Sequence, residues 1–339
     1  MDNNSKTYKV SKMTLDEYRN TQFMKVMNVF DFSSNLPASL YIESTGLRLP
    51  EALYRSCRLT NTRLLIEDYL LNAKKSTMDL TVPRGVSQYS SYGVRACLQQ
   101  RHLAEEEFIS EGKALLLPKY KNINAPLGVT IRSRRSIRAM AGKKLKIEYL
   151  STVLYYACGV TGDYELLSEE RGETDIRCLD MNAFSKVRSS PSGGGLYPIY
   201  LYIAIFNTQG IEDGLYVYLP LTHALGVIKI FDEKEKNRLY QMAEWGLEID
   251  EKKVNFMMFY VYKMYENARK YGDMALLFAL IEAGQISQNI HLASTALNLA
   301  SCDIGGYEKA PLEKFLGIDG LSKHLVNLTL VGARQAENI

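Results

Sequence analysis

Residues 274–300 are the most apolar stretch of the chain, and at helical spacing their apolar side chains cover most faces. A helix of that kind has to be buried, inside one subunit or between two. Glu282, Gln285, Gln288, Asn289 and His291 interrupt it, which makes it a poor membrane span. Buried in protein, those polar groups need partners. Asp273 stands where it can cap the helix, and Lys270 and Tyr271 lie just ahead of it.

The bulk properties narrow the class. With 339 residues the chain can hold two domains or one large one, and 46% hydrophobic with 23% charged residues is an ordinary globular balance. A formal net charge of +3 gives no argument for nucleic acid. The cysteines (57, 97, 158, 178, 302) are odd in number, widely spaced and lack a C-x-x-C, which argues against a disulfide framework and structural zinc. No histidine pair has the spacing of a helical metal site. The polar N-terminus lacks the apolar core of a signal peptide. A reduced, cytoplasmic protein without membrane, metal or nucleic-acid partners is expected.

Residues 1–125 carry no nameable chemical motif. Asn61 can cap a helix over 63–74. Residues 81–92, rich in Ser, Gly and Pro, read as loop, 102–107 as an acidic helix, and 115–126, with Pro118, Asn122, Asn124 and Pro126, as a linker. The expected division is an accessory domain over 1–125 and a second domain over 126–336. In the latter, Ile147, Leu150, Val153, Leu154 and Ala157 predict a helix ending at Gly159. Strands are expected at 197–206, 255–264 and 325–331, and a hairpin from 214–219 and 224–230. Helices alternating with hairpins predict an α+β fold with a mixed central sheet flanked by helices. The missing strand–GxGxxG–helix unit argues against a Rossmann domain.

Four segments can carry chemistry. Arg134, Arg135 and Arg138 bracket Ser136; guanidinium forks suit a phosphate, and Ser136 as an N-cap would add backbone amides. The loop Ser189-Ser190-Pro191-Ser192-Gly193-Gly194-Gly195 lets backbone approach a flat ring and supplies hydroxyls. Lys270 and Tyr271 form a possible proton-transfer pair; Arg269 beside Lys270, and burial, would lower the lysine pKa. Gly305 and Gly306 can bring an N–H against a ring nitrogen. Taken singly, each has a plainer reading: a solvated basic turn, a flexible turn, a surface pair, a helix C-terminal turn.

Together, in this order and at these separations, the segments resemble the nitroreductase-like FMN proteins, and among them the SagB-type azoline dehydrogenases. The matching strings are Arg134-Arg135-Ser136-Ile137-Arg138, Pro191-Ser192-Gly193-Gly194-Gly195-Leu196-Tyr197-Pro198, Arg269-Lys270-Tyr271-Gly272-Asp273, Glu282-Ala283-Gly284-Gln285 with Gln288-Asn289, Asp303-Ile304-Gly305-Gly306-Tyr307, and Val331-Gly332-Ala333-Arg334. The resemblance covers roughly residues 126–336. The pattern departs at Gln285, where the family helix often carries His.

The resemblance implies an FMN-binding homodimer with active sites at the subunit interface. Arg134, Arg135, Ser136, Arg138 and Arg334 would hold the phosphate and nearby polar groups. Ser190, Ser192 and Gly193 would touch the ring, with Pro191 and Gln288 also in the cofactor set, and Gly305 and Gly306 would place an amide near N5. Lys270 and Tyr271 match the catalytic pair. The implied reaction oxidises thiazoline or oxazoline rings of a ribosomally made peptide to azoles, with a cyclodehydratase and a precursor peptide as partners. In relatives the region equivalent to 1–125 can help hold the peptide. The alternatives are a flavin reductase of dehydroamino acids, a general NAD(P)H nitroreductase, and a peptide-binding subunit without flavin.

Overall fold

A computed structural model describes residues 69–70, 73, 81–90, 105–164, 185–242 and 249–335. The chain divides into two units after Lys74, and the architecture below is that of Lys75–Ile339. The helix expected over 63–74 falls mostly outside the described residues.

Its centre is a seven-stranded sheet in the order β1-β8-β7-β5-β9-β11-β10. The strands are β1 (Ala114–Leu116), β5 (Ile199–Ile205), β7 (Gly214–Leu219), β8 (Ala224–Ile230), β9 (Phe256–Lys263), β10 (Leu299–Asp303) and β11 (Lys323–Ala333). All pairings in this sheet are antiparallel. Among the described residues, parallel pairing is confined to the short β2 (Leu145–Lys146) beside β6 (Thr208–Gln209). A third ribbon joins β3 (Val160–Tyr164) to β4 (Ser185–Arg188). The α+β architecture is the expected one, but the central sheet, expected to be mixed, is antiparallel because its neighbouring strands are joined by hairpins and reversals rather than parallel crossovers.

Side chains alternate between the two faces of a strand. On β5, Ile199, Leu201, Ile203 and Ile205 join one core, and Tyr200 and Ala204 the other. On β9, Phe256, Met258, Tyr260 and Tyr262 face the first core, and Met257, Phe259 and Val261 the second. Both faces are covered, which is why these strands read as unbroken apolar runs. The first core is closed by α4 (Ile147–Cys158) and α7 (Met274–Ala296). Leu150, Val153, Leu154 and Ala157 of α4 are fully buried, and each such leucine contributes roughly 1.5–3 kcal/mol. The second core is closed by α5 (Glu233–Tyr240) and α8 (Lys309–Phe315), through Leu239, Leu312 and Phe315.

Several expectations need correction. Residues 81–90, read as loop, form the helix α1 (Thr81–Ser90), which packs on α6 (Met264–Tyr271). Gly85 permits that contact, because a Cβ there would stand 2.5 Å from the Lys270 carbonyl oxygen. The stretch read as a linker starts with the edge strand β1, led in by α2 (Glu105–Ser110). The long helix ends at Ala296: Asn298 takes a left-handed conformation (φ 57°), and the chain re-enters the sheet as β10. Asp273 adopts helical angles and makes no side-chain cap bond.

Candidate active site

The Ser/Gly loop and the Lys-Tyr pair are far apart in sequence and meet in the structure. Helix α6 is tied to α7 through buried Asn267: Tyr262 OH donates to its Oδ1 (2.9 Å), and its Nδ2 donates to the Ala275 carbonyl (2.8 Å). This junction places Lys270 and Tyr271 on the last turn of α6. Lys270 is only 7% exposed. Its Nζ lies 5.2 Å from the Tyr271 ring centroid, and that ring packs edge-on against Phe278 at 4.9 Å. An added Cβ on Gly194 would stand 2.5 Å from both Lys270 Nζ and Tyr271 Oη. Two proton-carrying tips therefore converge on one bare backbone position, while a Cβ on Gly193 would contact Phe278 at 3.5 Å.

The loop is held in a demanding backbone shape. Gly194 (φ 66°), Gly195 (φ 67°) and Tyr197 (φ 48°) are all left-handed, a conformation that costs a side-chain-bearing residue roughly 1–3 kcal/mol. Specific bonds maintain it. Ser192 Oγ accepts the Tyr197 N–H (2.9 Å) and donates to Glu282 Oε2, whose Oε1 accepts the Ile199 N–H (3.4 Å). The Arg188 N–H donates to Tyr197 Oη (3.1 Å), and its guanidinium lies 4.4 Å from that ring. Ser190 is fully buried, and its hydroxyl has no partner among the described residues. Pro191, Gly193 and Gly194 are exposed.

Glu282 and Arg188 were not singled out as site residues. The signal for Glu282 was an acid in an apolar helix. Nothing marked Arg188 beyond its place ahead of the loop. Burial pushes the Glu282 carboxyl up to about 7, against the opposing pull of the Ser192 bond, Arg188 and the Ile199 amide. Asn289, another polar interruption, donates to the Ala157 carbonyl on α4 (3.3 Å).

The remaining predicted residues gather around β10 and the end of β11. The Arg segment follows α3 (Leu127–Ser133), whose C-cap is Arg134. Ser136 therefore caps no helix, and the expected row of N-terminal amides is not there. The segment instead runs along β10, with the Ile137 N–H donating to the Ser301 carbonyl (2.9 Å). Arg135 Nη1 turns back onto the Arg132 and Arg134 carbonyls (2.8 Å each), Arg134 is half-buried and Arg138 is exposed. Met140 bridges to Arg334, which brings that arginine to the same edge. Gly305 and Gly306 are exposed just past β10, and Gln288 is exposed on α7.

Asp303 anchors this region. It accepts bonds from Ser287 (2.7 Å) and Thr329, and it pairs with His291 (3.2 Å), whose Nδ1 meets Ser301 Oγ (2.8 Å). Burial opposes ionisation of Asp303, but the His291, Thr329 and Ser287 bonds prevail and lower its pKa. Glu282 and His291, the helix residues anchoring the two regions, are nine positions apart, about 14 Å of α-helix.

Cys158 and Cys302 are buried, and burial raises the Cys158 thiol to about 12, so it is inert. Among the described residues no cluster could hold a metal, and no helix is long and apolar enough to cross a membrane.

An antiparallel sheet with a long apolar helix packed on one face, a Gly loop facing a Lys-Tyr pair and an edge strand flanked by the arginine segment defines a nitroreductase-like α+β protein. The nitroreductase family model matches residues 131–333: the chain belongs to this family of oxidoreductases. A putative nitroreductase of Methanocaldococcus jannaschii is 27% identical over 185 residues, 55% of this chain and 81% of that protein. The microcin B17-processing protein McbC of Escherichia coli is 28% identical over 163 residues, 44% of this chain and 59% of that protein. Among solved structures, a chain of the Escherichia coli microcin synthetase McbBCD complex with truncated pro-MccB17 bound matches 81% of this chain and 99% of its own, at 20% identity and TM-score 0.47.

Proposed function

We propose that this chain is an FMN-dependent dehydrogenase that oxidises thiazoline or oxazoline rings to thiazole or oxazole in a ribosomally made peptide. The convergence of Lys270 Nζ and Tyr271 Oη on Gly194 carries the reading. Aromatising an azoline removes two electrons and two protons, so the site needs a base beside a flat electron acceptor. Similarity to a microcin B17-processing protein supports a peptide substrate.

The residues fit such an acceptor. Gly193 and Gly194 present exposed backbone, and a single Cβ at Gly194 would fill the space in front of both tips. Pro191, Ser192, Gly193 and Gln288 would meet the ring, Gly305 and Gly306 its edge, and Arg134, Arg135, Ser136, Arg138 and Arg334 the phosphate; Ser190, expected at the ring, is fully buried and lies behind the loop surface. When bound, FMN supplies the hydride acceptor. Lys270 or Tyr271 takes the ring Cα proton; burial keeps water from Lys270, and the Phe278 contact sets the Tyr271 ring.

Two copies of the chain complete the proposed unit. Leu277, Leu280 and Ile281 are exposed on α7, at 39%, 46% and 49%, and Leu127, Val129 and Ile131 on the neighbouring α3. An apolar face of that kind suits a subunit interface. A cyclodehydratase and a precursor peptide are the proposed partners, and residues 1–125 the proposed accessory domain.

The visible spectrum of the purified protein, before and after anaerobic NADPH, tests the reading. A flavin band that survives NADPH supports it. A band that NADPH bleaches quickly favours a general nitroreductase, the reading that similarity to the Methanocaldococcus protein supports. Absence of flavin sinks both.

A further inference from the structure

An ionisable carboxyl is costly to bury, and an apolar side chain would fill the same place on α7 without that cost. Glu282 is nonetheless 2% exposed, and what it holds is the Ser/Gly loop. Its two oxygens take the Ser192 hydroxyl, in the middle of the loop, and the amide of Ile199, the first residue of β5. One turn earlier on the same helix, Phe278 supports Gly193. A serine hydroxyl has one proton to give. With Glu282 ionised, that proton is committed to the carboxylate, and Ser192 can only accept on its open side. With Glu282 protonated, the carboxyl donates to Ser192 Oγ, and the serine proton is released to the open side of the loop.

We propose that Glu282 is the positioning residue of this loop: it fixes the direction of the Ser192 hydroxyl and, through it, the seat of Gly193 and Gly194 against Phe278, Lys270 and Tyr271. It acts through Ser192 and touches no substrate. Burial brings the carboxyl to about 7, so both hydroxyl directions are reached near neutral pH. The groups around it are Arg188 from β4 and the un-ionised Cys158 from α4, while Lys270 and Tyr271 of α6 meet the same loop at Gly194. The consequence for a bound ring rests on the flavin reading: Ser192 would be donor or acceptor to it according to the proton on Glu282.

Ser192→Ala, Glu282→Gln and the double variant, made in the full chain, test this in two ways. The first is FMN affinity by fluorescence titration at pH 6 and pH 8. Wild type should differ between the two by the worth of one hydrogen bond, about two- to tenfold. Both single variants should lose that difference, and the double variant should bind no worse than the weaker single. Persistence of the pH difference in Glu282→Gln, or additive losses, overturns the proposal. The second readout needs no flavin: the urea midpoints of the four proteins without ligand should be non-additive, because the substitutions break one shared bond. Additive midpoints overturn the proposal even in a protein that binds no FMN, whereas failure of wild type to bind FMN overturns the functional reading alone.

Discussion

Gly194→Ala and Gly195→Ala form a matched pair. Both glycines are left-handed, at φ 66° and 67°, so an alanine at either pays the same backbone cost, about 1–2 kcal/mol. They differ in what the new methyl meets. At Gly195 nothing lies within 4 Å; at Gly194 the Cβ would stand 2.5 Å from Lys270 Nζ and Tyr271 Oη. Ordinary contact begins near 3.4 Å, so each tip has to retreat by about 1 Å. Both are ends of side chains, and the retreat adds little to the loss of stability. A displacement of about 1 Å at a reacting group costs on the order of 10²-fold in rate. Urea unfolding should therefore rank the two variants alike. Turnover of an azoline peptide, followed by the mass loss of two hydrogens, should fall about a hundredfold further in Gly194→Ala. Equal turnover in the two variants would refute the placement of Lys270 and Tyr271 at the reacting centre, and a much larger stability loss in Gly194→Ala would show the tips to be structural.

Other expectations follow from the same geometry. Lys270→Ala and Tyr271→Phe should each slow turnover by roughly 10²–10⁴-fold with FMN still bound, and full activity in both would end the assignment of a base to this pair. The carboxyl of Glu282 has a folded pKa raised from 4.5 to about 7, so its contribution to stability is fully present below about pH 4.5 and is lost as pH rises through about 7. Between pH 5 and 8 wild type should lose up to about 3 kcal/mol relative to Glu282→Gln; parallel stability curves would contradict the burial argument. Gly85→Ala places a methyl 2.5 Å from the Lys270 carbonyl, a backbone atom that cannot swing aside. It should cost about 1–3 kcal/mol in urea unfolding and lower turnover as well, and a neutral result would remove α1 from the support of α6.

Much of the fold is legible in the sequence, because periodicity and breakers are local. The hairpin of β7 and β8, the strands β5 and β9 and the helix α4 follow from short apolar runs rich in β-branched and aromatic residues, a Pro-containing turn, helical spacing and a terminal glycine. Where local signal misled, a tertiary contact decided the outcome. Helix α1 has a composition that favours turns, and packing on α6 makes it a helix. The five residues of β10 continue an apolar run whose length alone cannot separate helix from strand; the left-handed Asn298 ends α7, and pairing with β11 makes the strand. Ser136 has the chemistry of an N-cap but follows a helix rather than starting one.

The candidate site divides in the same way. The sequence by itself determined that a long apolar helix must pack against apolar surface and that the polar groups it buries there, Glu282 and His291, need partners, since desolvation acts on composition wherever the helix lies. It also supplied the residue types for proton transfer, for a bare ring-facing loop and for a phosphate. Only the tertiary structure decided that Lys270 and Tyr271 meet Gly194, that Glu282 holds Ser192, and that the arginines gather instead along β10. Those pairings join positions dozens of residues apart, and they are set by sheet register and helix packing, which no local pattern encodes.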